Sequence, residues 1–512
     1  MGRSTRLILA LAATLALSAC TGAPAPTTST TPTAPVPVPL PAPAEPLPLA
    51  QLAAFSGVAA LNAGSNCTGT LIDTGAPSGP AYVLTNGHCV GDVGRAAQAT
   101  TLSLEWGGTA EFLAAKGNLD QTLTVDVVAL EYSTMRHTDT AIVRLKPTLG
   151  ELEDLGIRAV KVTTAEPAPG TAVVNIGVPV QELAPEEWVL RQGKCTLGRQ
   201  HTLIEHRWLW FDVWSSDCPG IIQGSSGSPL FTIGAYGTPT AIAAMINTTT
   251  WGAVAANGGE CAMNRPCEVT ADGVRMVEHT SYAQSVAGLE RCFGGDGVFS
   301  LGARCPLAVS TVWAESGGGS FRGGDLPNAA GTLPQASLVG REAGTLRTAV
   351  VPLGDATACG KSSTYQGTSS KALPQAGEEW EVVGVKVPVE LPEQEGHYLL
   401  CAAAGSDYAG AGSVLFDVDR TPPRFPASAE VEDIGEGAVV VRPHLNPPDI
   451  TTVRFIWGAS DSVDCDDTAG FQNFFIVPLT LKSTDLPAKY CVHGLDAAGN
   501  RTEVTRIEIP KK

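Results

Sequence analysis

Three short segments of this chain carry side chains suited to nucleophilic catalysis. In Gly224-Ser225-Ser226-Gly227-Ser228-Pro229-Leu230, serines stand between glycines. Glycine tolerates the tight, partly left-handed backbone that exposes a hydroxyl. The same turn aims the backbone N–H groups of Gly224 and Ser226 at one point, and such donors stabilise an oxyanion by about 3–4 kcal/mol each. In Val83-Leu84-Thr85-Asn86-Gly87-His88-Cys89-Val90, an apolar strand runs into a histidine followed by a cysteine. A disulfide from Cys89 to Cys67 would pin the backbone beside that ring. In Thr138-Asp139-Thr140-Ala141-Ile142-Val143, a lone carboxylate enters an apolar strand. Burying it is costly unless a donor meets it, and a histidine N–H is such a donor. Ser226 as nucleophile, His88 as base and Asp139 as orienting acid form the set that amide hydrolysis at neutral pH requires. The rival acid, Asp126 in Val125-Asp126-Val127-Val128, lies mid-strand and is expected to face solvent.

These residues sit in a stretch that reads as all-β. From Leu49 to Pro306, short apolar runs such as Ala81–Leu84, Thr140–Val143 and Ala172–Ile176 alternate with Gly, Pro and Asp clusters. One helix is expected near the end, where Tyr282, Val286, Leu289 and Phe293 recur at helical spacing.

Taken together, the motifs resemble the chymotrypsin/trypsin-like serine peptidases. The order His, Asp, Ser and the gaps of 51 and 87 residues match, as do Cys67-Thr68-Gly69-Thr70-Leu71-Ile72, His88-Cys89 and Asp139-Thr140-Ala141. The resemblance covers about half the chain. It implies two packed six-stranded β-barrels with the active site between them, a protein or peptide substrate, and no cofactor. Gly-x-Ser-Gly-Ser-Pro and Ile176-Gly177-Val178-Pro179 are closest in texture to the bacterial glutamyl-endopeptidase branch, yet that branch's specificity histidine is missing from Ala244–Ile246. Ser225 stands where trypsin has an acid that pairs with a new N-terminus, and no Ile-Val-Gly-Gly precedes Cys67, so trypsin-style activation is not expected. Six residues before Ser226, Gly220 is expected at the floor of the specificity pocket, or Asp217 if the loop length differs. Cys195 and Cys218 would frame that wall. Cys261, Cys267, Cys292 and Cys305 supply two further bridges in a pairing that stays open. No metal motif is visible. His201 and His206 flank Leu203-Ile204 without ligand spacing and read as solvated surface groups.

The flanks describe a surface protein. Arg3 and Arg6 precede the apolar run Leu7–Leu17, which is too short to span a bilayer, and Leu17-Ser18-Ala19-Cys20 resembles a lipoprotein cleavage box. Residues 1–19 are then a signal peptide and Cys20 is lipidated, leaving the protein outside the cytoplasm on the bacterial envelope, with Thr21 pointing to the outer membrane or cell surface. Twelve of the 13 cysteines remain for six disulfides, as an oxidising compartment allows. Residues 20–48 form a Pro/Thr-rich tether of polyproline II character, roughly 85 Å long at ~3.1 Å per residue. After the peptidase region, 49–306, come two β-sandwich modules, 307–420 and 421–512. Each is stapled by one bridge, Cys359–Cys401 and Cys465–Cys491; the ending Asp496-Ala497-Ala498-Gly499-Asn500 resembles immunoglobulin-like repeats. Trp380 and Trp457 are expected in their cores. A formal net charge of −18 argues against nucleic acid and polybasic membrane contact, so the lipid is the expected membrane link. The competing functions are an inactive homologue that binds protein through the old cleft, and an adhesin working through its sandwiches.

Overall fold

The computed structural model describes residues 42–90, 98–234, 237–251, 261–271, 273–377, 384–444, 449–474 and 477–511. The expected signal peptide at 1–19, Cys20, most of the expected tether and Trp380 lie outside them. None of the described helices is long and apolar enough to cross a membrane.

The molecule is all-β. Val58–Asn62, Asn66–Leu71, Pro80–Thr85, Thr140–Thr148, Leu123–Thr134 and Thr109–Phe112 pair in that order, and the last pairs back with the first. The ring closes because inward positions are apolar: Leu61, Leu71, Val83, Ala141, Val143 and Phe112 fill it and are essentially inaccessible. A second set pairs as Ala172–Gly177, Arg191–Glu205, Trp208–Ser216, Ser281–Ser285, Pro239–Thr249 and Pro229–Ile233, which returns to Ala172–Gly177. The two barrels meet over a common core that includes Tyr82, Leu84 and Ile142 of the first and Ile176, Phe231 and Met245 of the second. Burying this apolar surface is what holds the halves together and defines the cleft between them.

Three expectations change in and around the barrels. The helix over Tyr282–Phe293 is instead the strand Ser281–Ser285, followed by a short 3-10 turn at Leu289–Cys292. Hydrogen bonding on both sides of Ser281–Ser285 outweighs the helical spacing, and Gly288 turns the chain with φ 82°. The end of the tether is not free. Glu45–Pro46 pairs with Gln192 and Arg191, and Leu47 is 2% exposed within the shared core. Proline is tolerated there because it lies on a short strand at the edge of the sheet. His201, finally, is not solvated. Its side chain is 7% exposed, with Nδ1 3.3 Å from Glu268 Oε2 and Nε2 3.1 Å from Ser215 Oγ. The pairing of Leu203 with Glu268 brings that acid alongside. His206 is exposed in the hairpin turn.

Two further units follow, each of two sheets around its own core. In the first, Val312–Gly317, Gln335–Gly340 and Val385–Pro388 face a five-stranded sheet centred on Gly396–Ala404 and Asp407–Val418. In the second, Ala429–Gly435, Ala438–Pro443 and Leu479–Leu481 face a sheet centred on Thr452–Ala459 and Ala488–Leu495. Trp457 is 37% exposed and not in the core, although its strand partner Tyr490 is buried there. Six disulfides join Cys67–Cys89, Cys195–Cys218, Cys261–Cys267, Cys292–Cys305, Cys359–Cys401 and Cys465–Cys491.

The first of these units is welded to the barrels. Ile204, Leu209 and Cys267 share a hydrophobic cluster with Leu353, Cys359, Tyr365 and Cys401. Arg136, 5% exposed, donates from Nε to Ala411 O at 2.7 Å and from Nη2 to Ala409 O at 2.6 Å. Burial pulls its guanidinium down to about 10. Tyr132 reaches Ala308 O, and Arg341 reaches Ser310 O and Thr100 O. Arg136→Met removes the charged donor from both carbonyls and leaves the buried one, Ala411 O, without it, a loss of roughly 2–4 kcal/mol. Urea unfolding should show the midpoint falling accordingly, and an unchanged midpoint would remove this contact from the account of stability.

Candidate active site

His88 and Asp139 are brought together by adjacent strands. Pro80–Thr85 pairs with Thr140–Thr148 so that Thr85 opposes Ala141. The residues just past those ends, His88 on the short helix Gly87–Val90 and Asp139 ahead of its strand, therefore meet. Asp139 is wholly buried. Its Oδ2 accepts His88 Nδ1–H at 2.7 Å and its Oδ1 accepts the His88 backbone N–H at 3.0 Å. Asn86 Nδ2 donates to the Asp139 carbonyl at 2.9 Å. Gly87 admits this packing because a Cβ there would stand 2.2 Å from Thr134 O and 3.2 Å from Asp139 Oδ1. Cys89 is joined to Cys67, which ties the helix to the neighbouring strand. The rival Asp126 lies exposed on the outside of the first barrel, 3.4 Å from Lys146 Nζ.

Burial alone would lower the His88 pKa. The Asp139 charge and hydrogen bond oppose it and prevail, with a further contribution from the charge of Glu205, so the imidazole stands above its ordinary value of about 6.5.

Ser226 is placed from across the interface. Thr68, in the strand Asn66–Leu71, donates from Oγ1 to Gly224 O at 2.9 Å and from its backbone N–H to Ser226 O at 2.8 Å. The Thr68 carbonyl stands where a Cβ on Gly227 would lie, 2.0 Å away, and Gly227 has φ 81°. The turn is thus clamped onto the first barrel by a residue that no sequence signal had marked. Ser225 N bonds to Ile222 O, Gly227 N to Ile246 O and Ser228 N to Ser225 O. Among the described residues, the N–H groups of Gly224 and Ser226 have no acceptor within the protein. Alternation of spent and free donors is what leaves two N–H groups available to a ligand.

His88, Ser226 and Gly224 line one cleft of about 570 Å³ between the barrels. No hydrogen bond joins Ser226 Oγ to His88 in this state, and such bonds commonly tighten only with substrate in place. The pocket is not framed as expected. Neither Gly220 nor Asp217 reaches it: Gly220 packs on Ala44 of the docked N-terminal segment, and Asp217 accepts from Thr196 N at 2.6 Å on the outer surface. The loop after Cys218 carries Gly220 away, and Asp217, ahead of Cys218, is held on the outside by Thr196. The cleft is lined instead by Ile221, Ile222, Ile246, Asn247, Thr248 and Glu205, of which sequence inspection had noted only Ile246. His88 also lies within 4.8 Å of the sulfurs of Cys67 and Cys89, but those sulfurs form a disulfide and offer no thiolate to a metal. A second overlooked residue, the buried Gln284, accepts from Asp139 N at 3.4 Å and donates to Phe211 O at 2.9 Å.

Residues 67–241 match the family model described as the trypsin-like peptidase domain. This span contains His88, Asp139 and Ser226. No match is found among curated proteins. Among solved structures, the chain is similar to a thermostable serine protease, AL20, from an extremophilic microorganism. The identity is 14%, over 46% of this chain and 93% of that one, with a TM-score of 0.29.

The electrostatics give a direct test. In NMR titration the His88 imidazole should lose its proton above pH 6.5. Asp139→Asn removes the opposing charge, so burial then dominates and the midpoint should fall below 6.5. A midpoint unmoved by that substitution would show that Asp139 does not control the ring.

Proposed function

We propose that this chain is an extracytoplasmic serine endopeptidase that cleaves peptide bonds through an acyl-enzyme on Ser226. The observation that carries the reading is the convergence, in one cleft, of a serine, a histidine held by a buried carboxylate, and two backbone donors without acceptors. The match of residues 67–241 to the trypsin-like peptidase domain supports it.

In this reading His88 Nε2 takes the Ser226 proton as Oγ attacks the substrate carbonyl. The tetrahedral oxyanion forms within reach of the Gly224 and Ser226 N–H groups, the interaction that contributes most to lowering such barriers. Asp139 keeps Nδ1 protonated, so that Nε2 is the basic nitrogen, and stabilises the imidazolium once formed. His88 then gives its proton to the leaving amine, and a water repeats the sequence to release the acid. Because only neutral His88 can act as base, kcat/KM should rise with pH through an ionisation above 6.5, following the raised pKa of the ring.

Anchoring belongs to the same proposal. Arg3, Arg6, the apolar run to Leu17 and the box ending at Cys20 support export and lipidation, and the prolines after it would hold the domain away from the membrane. The competing readings of inactive homologue and adhesin lack a comparable supporting observation.

Two experiments test the proposal. Wild type should be labelled by a fluorophosphonate probe and should hydrolyse casein; Ser226→Ala should lose both while retaining its circular dichroism. Labelling that persists in Ser226→Ala but vanishes in Ser225→Ala would move the nucleophile, and an unlabelled, folded wild type would make the protein an inactive homologue. Separately, Cys20→Ser should shift the protein from membranes to the soluble fraction, and intact mass of the mature chain should include acyl groups. A mature chain without acyl mass would leave an ordinary secreted enzyme.

A further inference from the structure

The cleft holds an acid that peptide hydrolysis does not require. Glu205 ends the strand Arg191–Glu205 and lines the same cavity as His88 and Ser226. It is 4% exposed. Oε2 accepts from Thr248 Oγ1 at 2.6 Å and Oε1 from Asn264 N at 2.9 Å. Both donors are neutral. They hold the carboxylate in place without compensating its charge, and they leave lone pairs unused on each oxygen. Among the described residues Glu205 forms no ion pair, and burial pushes its carboxyl above the usual carboxylate range, the state of an acid whose charge no cation compensates; the His88 and Asp139 charges act on it in opposite directions, and Arg265, which also lines the cleft, is itself partnered.

The surroundings indicate what would complete this site. Trp208 and Trp210 line the cleft with their rings stacked, centroids 6.0 Å apart at 14°. Both rings are nearly inaccessible, 4% and 2% exposed, and the dry wall they form strengthens the attraction of the neighbouring carboxylate for a cation. Asn247 is 4% exposed, lines the cleft, and has neither amide atom paired; its Oδ1 is an acceptor waiting for a donor. An apolar side chain entering here would leave Glu205 and Asn247 unsatisfied, and an acidic one would meet Glu205 with like charge. A guanidinium or ammonium group would supply both the charge and the donors. The net charge of −18 acts in the same direction, drawing basic peptides toward the molecule.

We propose that Glu205 makes this cleft selective for peptides that set a Lys or Arg side chain against it, so that cleavage falls at a fixed distance from a basic residue. The proposal rests on the serine-endopeptidase reading given above. It assigns the selectivity to the hairpin of Arg191–Glu205 and Trp208–Ser216, not to the loop before Ser226, whose Asp217 and Gly220 stay outside the cleft.

The test uses the full mature protein. Cleavage of a mixed peptide library, read by mass spectrometry, finds the position at which a basic residue is enriched. Two peptides differing there only by arginine or its neutral isostere citrulline are then compared. The expected wild-type ratio of kcat/KM is at least about tenfold in favour of arginine, the scale of one charge-assisted contact, and Glu205→Gln brings it to within about twofold. Wild type that treats arginine and citrulline alike, or that selects acidic residues, overturns the proposal without reference to any variant, so misfolding of Glu205→Gln cannot shield it. A folded Glu205→Gln that keeps the wild-type ratio also overturns it. Fluorophosphonate labelling separates the two levels: a labelled wild type indifferent to charge refutes the role of Glu205 alone, whereas an unlabelled wild type that cleaves nothing refutes both readings.

Discussion

A carboxylate with no access to water has to be answered from inside the protein, and Asp139 sets that requirement for the half of the molecule that carries the candidate site. Its two oxygens are met by the ring and the backbone of one residue, His88, so the acid specifies both the position and the orientation of the imidazole. That demand propagates outward. Gly87 must lack a side chain for His88 to come this close, and Asn86 must turn back to the Asp139 carbonyl. Asn86 and Gly87 are buried beside the acid while His88 keeps one side open to the cleft, so the hydrogen bonds of the three residues form one connected network.

The loop that presents Asp139 is restrained again from behind. Arg136 stands three residues earlier and is held by the carbonyls of Ala409 and Ala411 in the adjoining sandwich. A guanidinium is buried only where acceptors are fixed for it, so the sandwich is part of the setting of the acid and not a module on a leash. It also packs on the hairpin that carries Glu205, Trp208 and Trp210, through Ile204 and Leu209. One unit thus touches both barrels near the cleft. Its link to the next unit is more local: Asn500 Nδ2 bonds to Asp419 O and to Asp496 Oδ2 within the Asp-Ala-Ala-Gly-Asn turn.

The turn that carries Ser226 depends on the interface between barrels. Thr68 spends its hydroxyl and backbone on Gly224, Ser226 and, through Val178 N, the second barrel's own strand end. A single small polar residue therefore couples the barrel that carries His88 and Asp139 to the one that carries Ser226. Relative motion of the barrels would break three hydrogen bonds in a dry environment, where an unpaired group is costly.

Much of this was legible in the residues alone. Alternating apolar runs broken by Gly and Pro require strands, and side chains of period two fill a barrel. Cysteines adjacent to His88 and the glycines around Ser226 are local signals, because disulfides and left-handed turns place their demands on specific residue types. The order and separation of His88, Asp139 and Ser226 pointed to one site through their resemblance to the trypsin-like peptidases. Other features were decided only by packing. Strand pairing on both sides turned Tyr282–Phe293 away from its helical spacing, and a shared core drew Leu47 out of a proline-rich tether. The partners of Cys261, Cys267, Cys292 and Cys305 followed from which backbones came close, which spacing does not encode. The pocket walls are the clearest case. Counting back from Ser226 leads to Gly220, but the course of the loop after Cys218 sends Gly220 to Ala44, while Glu205, from a distant hairpin, enters the cleft. A residue's type is a property of the sequence; which cavity its side chain enters depends on the path of every strand between, and only the tertiary structure determines that path.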